Sequence, residues 1–174
     1  GLNKSPSTFN PEKLLWLNQH YIKSMSADEL SGRLKPYMEA EGLDLNAGPD
    51  LSMWIESFRE RAKTLVEMAV LAKPYYQDFD EYDPAANKKH FKAAALEPLK
   101  ELLMAYSQVS DWQGERLHNI VQETADRLEV GMGKVGMPLR VATTGSGNSP
   151  SLDITLELLP QAKVSERIEM ALTF

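Results

Sequence analysis

Apolar residues recur at the three-to-four-residue spacing of a helix along nearly the whole chain, and no stretch shows the strict alternation of a half-buried strand. Asn10-Pro11 pairs an N-cap with proline at the first helical position, and Leu14, Leu15, Leu17, Tyr21 and Ile22 then form an apolar stripe. Ser26-Ala-Asp-Glu29 has capping-box spacing, Leu30, Leu34, Tyr37 and Met38 share the next face, and Gly42 supplies a stop. A third, longer helix is expected from Pro49-Asp50 to the break at Ala72–Pro74, with the stripe Trp54, Phe58, Leu65, Met68 and Ala72. Residues 74–84 are bounded by prolines and rich in aromatic and acidic side chains; they read as a linker whose aromatics pack between two subdomains.

Beyond that segment the helical signals resume. Asp83-Pro84 opens a helix running to Phe91, and Leu96, Leu99, Leu102, Leu103 and Tyr106 mark another, with Pro98 in its first turn. Ser110-Asp-Trp-Gln113 reads as a second capping box feeding a helix that carries Trp112, Leu117, Ile120, Val121 and Leu128. Three shorter helices follow at about 134–144, 151–159 and 162–172, and the small, flexible residues of 143–150 form a loop between the first two. The fold class is all-α, in two consecutive helical subdomains spanning 1–82 and 83–174.

A length of 174 residues with 43% apolar content suits a packed core and excludes a disordered tail. The formal charge is −6, with 9 basic and 14 acidic residues before Pro84 and 10 and 11 from there on. A uniformly basic nucleic-acid surface is therefore excluded, and any polyanion contact has to be local, more naturally in the second part. Without cysteine there is no disulfide, thiolate metal site or thiol nucleophile. No apolar run approaches the ~20 residues of a membrane span, and no secretion signal core is present. A cytoplasmic location without membrane contact is expected. The start at Gly1-Leu-Asn, not Met, suggests a piece of a longer protein.

Little here looks like an active site. Gly131-Met-Gly133-Lys-Val-Gly136 matches G-x-G-x-x-G literally, but no βαβ unit surrounds it, and Val135 stands where a phosphate loop needs Ser or Thr after Lys134. A glycine-permitted turn between helices is the simpler reading. His20, His90 and His118 lie far apart, so neither a metal site nor a catalytic constellation is expected.

Arg61 and the loop are different. At 100° per residue Arg61 falls about 20° from Trp54, inside the apolar face of the expected long helix, while Arg59 and Lys63 point the other way. It is either an arginine snorkelling against the linker acids or a donor fork held in a cleft. The loop 145–150 leads into a helix start with Ser149 as N-cap, Pro150 at the first helical position and Leu152 next, where free N–H groups suit phosphates or base edges. Arg140, just before it, adds a planar donor that can also stack on a base.

Phe9-Asn-Pro-Glu-Lys-Leu-Leu-Trp-Leu-Asn-Gln-His-Tyr-Ile22 resembles the segment that follows the catalytic domain in bacterial glutamyl-tRNA synthetases. Glu60-Arg61-Ala-Lys-Thr-Leu65 is similar to a helix of that family's first anticodon-binding subdomain. Val130-Gly-Met-Gly-Lys-Val-Gly-Met-Pro-Leu-Arg-Val-Ala142 with Ser149-Pro-Ser-Leu152 is similar to its second. The resemblance covers nearly the whole chain. The family's ATP-binding signatures of the HIGH and KMSKS kind are absent, so the resemblance implies the C-terminal, all-helical anticodon-binding part alone, with no cofactor of its own. ATP and Mg²⁺ would belong to the parent enzyme, which attaches glutamate to its tRNA.

By this resemblance the partners are the anticodon arm of glutamate tRNA and the N-terminal catalytic domain, and the chain is a monomer. Arg61 matches the arginine that reads the third anticodon base; Arg140, Thr144, Ser149, Pro150 and Leu152 match positions around the first two. Lys134, Lys88 and Lys89 are candidate contacts to the RNA backbone. Cytosine offers acceptors to a donor-only guanidinium, whereas guanine presents N–H donors on its Watson–Crick edge. Arg61 should thus favour C over G, the third-base difference between glutamate and glutamine tRNAs. The sequence departs from the family pattern at Pro160-Gln161, commonly a Gly-Lys turn, and at Asp153, aromatic in some members. The rival reading is a helical protein-interaction adaptor that does not bind tRNA.

Overall fold

The computed structural model describes residues 10–174, which form ten helices and, among the described residues, no strand. Gly1 and Phe9, on which the sequence reading partly leaned, lie outside them. The chain divides into two compact units: one takes in residues up to Gly42 together with Leu51–Ala72, the other Leu43–Asp50 together with Lys73–Phe174.

In the smaller unit, α1 (Pro11–Ser24) starts as its cap dictates, with the Asn10 side chain accepting from the Glu12 and Lys13 N–H groups. The capping box of α2 (Ala27–Ala40) is complete: Glu29 N–H donates to Ser26 Oγ at 3.2 Å, and Ser26 N–H to Glu29 Oε2 at 3.3 Å. Gly42 ends this helix with φ 76°, which a β-carbon would oppose. Leu30, Leu34 and Met38 are fully buried, as are Trp54 and Ile55 of α3 (Leu51–Phe58). Burying each such side chain is worth about 1.5–3 kcal/mol.

Two expectations fail in this unit. The long third helix is broken after Phe58; residues 59–64 turn, and α4 (Leu65–Tyr76) begins afresh. The physical cause is a cap that competes with helix continuation: Glu67 N–H donates to Thr64 Oγ1 at 3.1 Å while Lys63 N–H donates to Glu67 Oε2 at 2.7 Å. The stripe of α1 is not core either. Only Ile22 is buried, whereas Leu14, Leu15, Leu17 and Tyr21 are 38–51% exposed.

The larger unit contains α5 (Pro84–His90), α6 (Ala93–Ser107), α7 (Gly114–Arg127), α8 (Met132–Thr144), α9 (Leu152–Glu157) and α10 (Gln161–Thr173). Helix α6 packs on α7, α8 and α10, and α9 lies on α7. Leu99, Leu102, Tyr106, Leu117, Val121, Leu139, Leu156, Val164 and Ile168 fill the space between them. The buried Tyr106 hydroxyl donates to the Leu117 carbonyl at 3.2 Å, which satisfies its one polar atom.

Helix starts in this unit differ from expectation. Gln113 caps α7 without a side-chain bond, and no Ser110–Gln113 box forms. Trp112 lies outside that helix because its indole N–H is drawn to the Leu156 and Leu159 carbonyls at 3.0 and 2.9 Å. Ser151, not Ser149, caps α9. Gln161, at one of the family departures, donates through Nε2 to the Tyr106 and Val109 carbonyls, which serves the C-terminal end of α6.

The aromatic segment after α4 packs within the larger unit. Tyr75, Tyr76 and Tyr82 are buried, and the Tyr82 ring meets Phe79, Phe91 and Phe174 edge-on with centroids 4.8–5.7 Å apart. The Tyr76 hydroxyl donates to the Pro49 carbonyl at 3.0 Å, and a β-carbon at Gly48 would come within 2.3 Å of the Tyr76 ring. Arg167 of α10, 5% exposed, donates to the Thr143 carbonyl at 2.6 Å and the Gln77 carbonyl at 3.1 Å, with its guanidinium 4.6 Å above Phe79. Lys163 holds Asp78 at 2.7 Å, and that hydrogen bond keeps the Asp78 carboxyl below the usual carboxylate range.

No helix among the described residues is long and apolar enough to cross a membrane, and no group of three His, Cys, Asp or Glu among them is placed to hold a metal.

Candidate nucleic-acid interface

Helix α8 carries Arg140 four residues before its end, where the polypeptide passes through Gly145 with φ 73°. The Gly145 N–H donates to the Val141 carbonyl at 2.8 Å, and its own carbonyl accepts from the Asp83 N–H at 2.8 Å, so the loop leaves the helix in a fixed direction. Thr144, buried, hydrogen-bonds through Oγ1 with the Arg140 carbonyl at 2.8 Å and the Ser146 carbonyl at 2.9 Å.

At the far end of the loop Arg140 Nη1 donates to the Ser149 carbonyl at 3.0 Å and also reaches Ser149 Oγ and the Pro150 carbonyl. Ser149 Oγ lies 3.1 Å from Thr155 Oγ1, which is wholly buried on α9. Pro150 and Leu152 are buried beneath. The structure therefore brings Arg140, Thr144, Ser149, Pro150 and Leu152 into one cluster, which fastens the loop 145–150 at both ends. Arg140, Ser146, Gly147 and Ser149 stay part-exposed and Asn148 is exposed, so a guanidinium and a set of fixed backbone and hydroxyl groups face solvent together. Such a surface can hydrogen-bond and stack on splayed bases. Thr155 was missed by the sequence reading, although a hydroxyl among Leu152, Ile154, Leu156 and Leu158 was its visible signal.

Arg61 does not sit in an apolar helix face. It lies exposed in the turn between α3 and α4, its N–H donating to the Phe58 carbonyl at 2.8 Å. Arg59 takes the inward place instead. Its side chain, 13% exposed, hydrogen-bonds Glu56 at 2.8 Å and donates to the Ile22 and Met25 carbonyls at the end of α1. The roles are exchanged because the turn after Phe58 ends the helical phase on which the expectation rested.

Lys88 and Lys89 stand in the last turn of α5 and Lys134 in the first turn of α8. Lys89 and Lys134 line one cavity, which also has His90 and Lys92 on its wall; Lys88 is not on that wall. Burial, reinforced by Lys89 and Lys92, holds the His90 imidazole below its usual pKa.

The scaffold is all-helical, with a loop pinned beside a guanidinium, and it defines a helical binding module. The anticodon binding domain family matches residues 24–172, and the chain belongs to that family. It is similar to a glutamate tRNA ligase from Elizabethkingia meningosepticum, solved in complex with its amino acid, at 25% identity over 95% of this chain with a TM-score of 0.85. A glutamate-tRNA synthetase from Elizabethkingia anophelis matches at 26% identity over 95% of this chain with a TM-score of 0.80. The chain spans 32% of the length of each. The adaptor reading is not favoured by these likenesses.

Proposed function

We propose that the chain is the anticodon-binding part of a glutamate–tRNA ligase and reads the anticodon of glutamate tRNA, while a catalytic domain of the longer enzyme attaches glutamate with ATP and Mg²⁺. The observation that carries this is the family match, together with a surface loop held rigid by Arg140 where contact with RNA is expected. In this reading Arg61 reads the third base, and its exposed turn lets the guanidinium approach a splayed-out cytosine. Arg140 and Ser149 face the first two bases. Thr144, Pro150 and Leu152 act from beneath by fixing the loop backbone. Lys88, Lys89 and Lys134 contact phosphates. The module works as a monomer in the cytoplasm.

The test is binding of this chain to the glutamate-tRNA anticodon stem-loop and to its variant with C replaced by G at the third position, for wild type and Arg61→Ala. The expected result is a ~10- to 100-fold preference for C that Arg61→Ala removes, the scale of one unpaired donor or one mismatched contact. Equal affinity of the wild type for both loops, or no binding at low salt, overturns the reading.

A further inference from the structure

A cavity of about 540 Å³ opens where the C-terminal end of α5 meets the N-terminal ends of α6 and α8. Its wall holds Lys89, His90, Lys92 and Lys134 and no carboxylate. Six cations of this acidic chain, Lys23, Arg59, Arg116, Arg127, Lys163 and Arg167, pair with acids. Among the described residues no such pair forms at Lys89, Lys92 or Lys134. Three cations and an imidazole converging without a counter-ion make a positive potential that an anion would relieve.

The backbone around the cavity agrees. Lys92 and Gly131 cap α6 and α8 without any side-chain bond, so first-turn N–H groups of both helices border the same space. Gly131 and Gly133 on the wall have nothing within 4 Å of the place a β-carbon would take, and neither has positive φ. Packing therefore does not require glycine at either position, yet Gly133 within a helix is about 0.5–1 kcal/mol less stable than alanine would be. Gly136 differs: a β-carbon there would lie 3.0 Å from Leu152, so close packing explains it. The first two glycines of the G-x-G-x-x-G string instead leave the cavity wall bare for close approach.

We propose that this cavity is a phosphodiester site, in which Lys89, Lys92 and Lys134 with the bare glycine backbone hold the sugar–phosphate backbone of the RNA strand whose bases face the Arg140 loop. The inference rests on the anticodon reading above and adds to it where, and by which chemistry, the strand is gripped. Lys134 and Arg140 are six residues apart on α8, about 9 Å along its axis and about 120° around it, so a strand that reaches both wraps part of the way round the helix. A phosphate contact gives affinity without sequence preference, whereas the loop and Arg61 give preference.

The experiment is binding of the glutamate-tRNA anticodon stem-loop and its third-base G variant across a salt series, for wild type, the double variant Lys89→Ala/Lys134→Ala, its two single variants, and Lys100→Ala as a charge-matched control for each single variant, exposed on α6 outside the cavity. The double variant should weaken both loops by the same factor. It should lower the slope of log affinity against log salt by about 0.7–0.9 per lysine removed, while Lys100→Ala leaves the slope near that of wild type. An unchanged slope in the double variant, with wild type binding normally, overturns the phosphodiester site and leaves the anticodon reading standing. A loss of the C-over-G preference in the double variant also overturns it, because the lysines would then be reading bases. If wild type binds neither loop, the anticodon reading falls, and titration with inorganic phosphate decides the site alone. Saturable amide shifts at Gly131 and Gly133 that vanish in the double variant support it, and their absence overturns it.

Discussion

Arg140 Nη1 and the Ser149 carbonyl oxygen are 3.0 Å apart across the base of the loop 145–150, and the same nitrogen reaches the Pro150 carbonyl. One side chain thus closes a nine-residue span. A charged donor serving carbonyl groups is worth about 1.5–3 kcal/mol. Arg140→Ala should release the loop and speed amide hydrogen exchange at Gly147 and Asn148 while exchange in α7 is unaltered. Arg140→Lys should restore little, since the lysine side chain is one bond shorter and its ammonium stops short of the place that Nη1 takes between the Ser149 and Pro150 carbonyls.

Arg59 and Arg61 are two residues apart and should separate cleanly. Arg59→Ala leaves the Ile22 and Met25 carbonyls without that donor and should lower unfolding stability by about 1–3 kcal/mol in a urea titration. Arg61→Ala, in an exposed turn, should shift stability by no more than about 0.5 kcal/mol. A larger stability loss for Arg61→Ala than for Arg59→Ala would contradict the exchange of roles described above.

Arg167 is the largest single risk in the larger unit. Removing its side chain uncovers the Thr143 and Gln77 carbonyls and strips the cation from Phe79. Arg167→Ala should cost about 3–5 kcal/mol, the scale of two hydrogen bonds from a charged donor at about 1.5–3 kcal/mol each. In calorimetry that corresponds to a melting temperature lower by about 6–20 °C for a chain of this size.

Alkaline titration gives a fourth expectation. Burial pushes the Tyr82 phenol up to about 12, and among the described residues its hydroxyl has no hydrogen-bond partner. A folded pKa above the ordinary phenol value of 10.0 means stability that is complete below about pH 10 and lost as pH rises towards 12. Denaturant midpoints measured from pH 8 to 12 should fall over that window. Tyr82→Phe should flatten part of the fall, and should not destabilise the protein at pH 8, because it removes an unsatisfied buried group.

Much of the helical order was legible because caps and periodicity agree there: Asn10, Ser26 with Glu29, Gly42 and Asp83 all act as their residue types dictate. Legibility failed where two local signals competed. Thr64-Leu-Val-Glu67 is a visible helix start, yet the stripe from Trp54 to Leu65 reads straight through it, and the cap that Thr64 and Glu67 form wins over continuation. The arginine-in-an-apolar-stripe argument applied to Arg61 fits Arg167, which lies among Val164, Ile168 and Ala171 at helical spacing. The place of Trp112 escaped because its partners, the Leu156 and Leu159 carbonyls, lie 44 and 47 residues away, and no local pattern reports such a contact; the N-cap role expected of Ser149 failed because its hydroxyl turns to Thr155 and Ser151 caps α9 instead.

Helix α1 leaves Leu14, Leu15, Trp16, Leu17 and Tyr21 in water. A face of that composition is what solvatochromic dyes such as anilinonaphthalene sulfonate adsorb to. Fluorescence melts of this chain would therefore start from a bright native baseline, and the dye's first loss of signal would report the shedding of dye from α1 rather than the opening of the core.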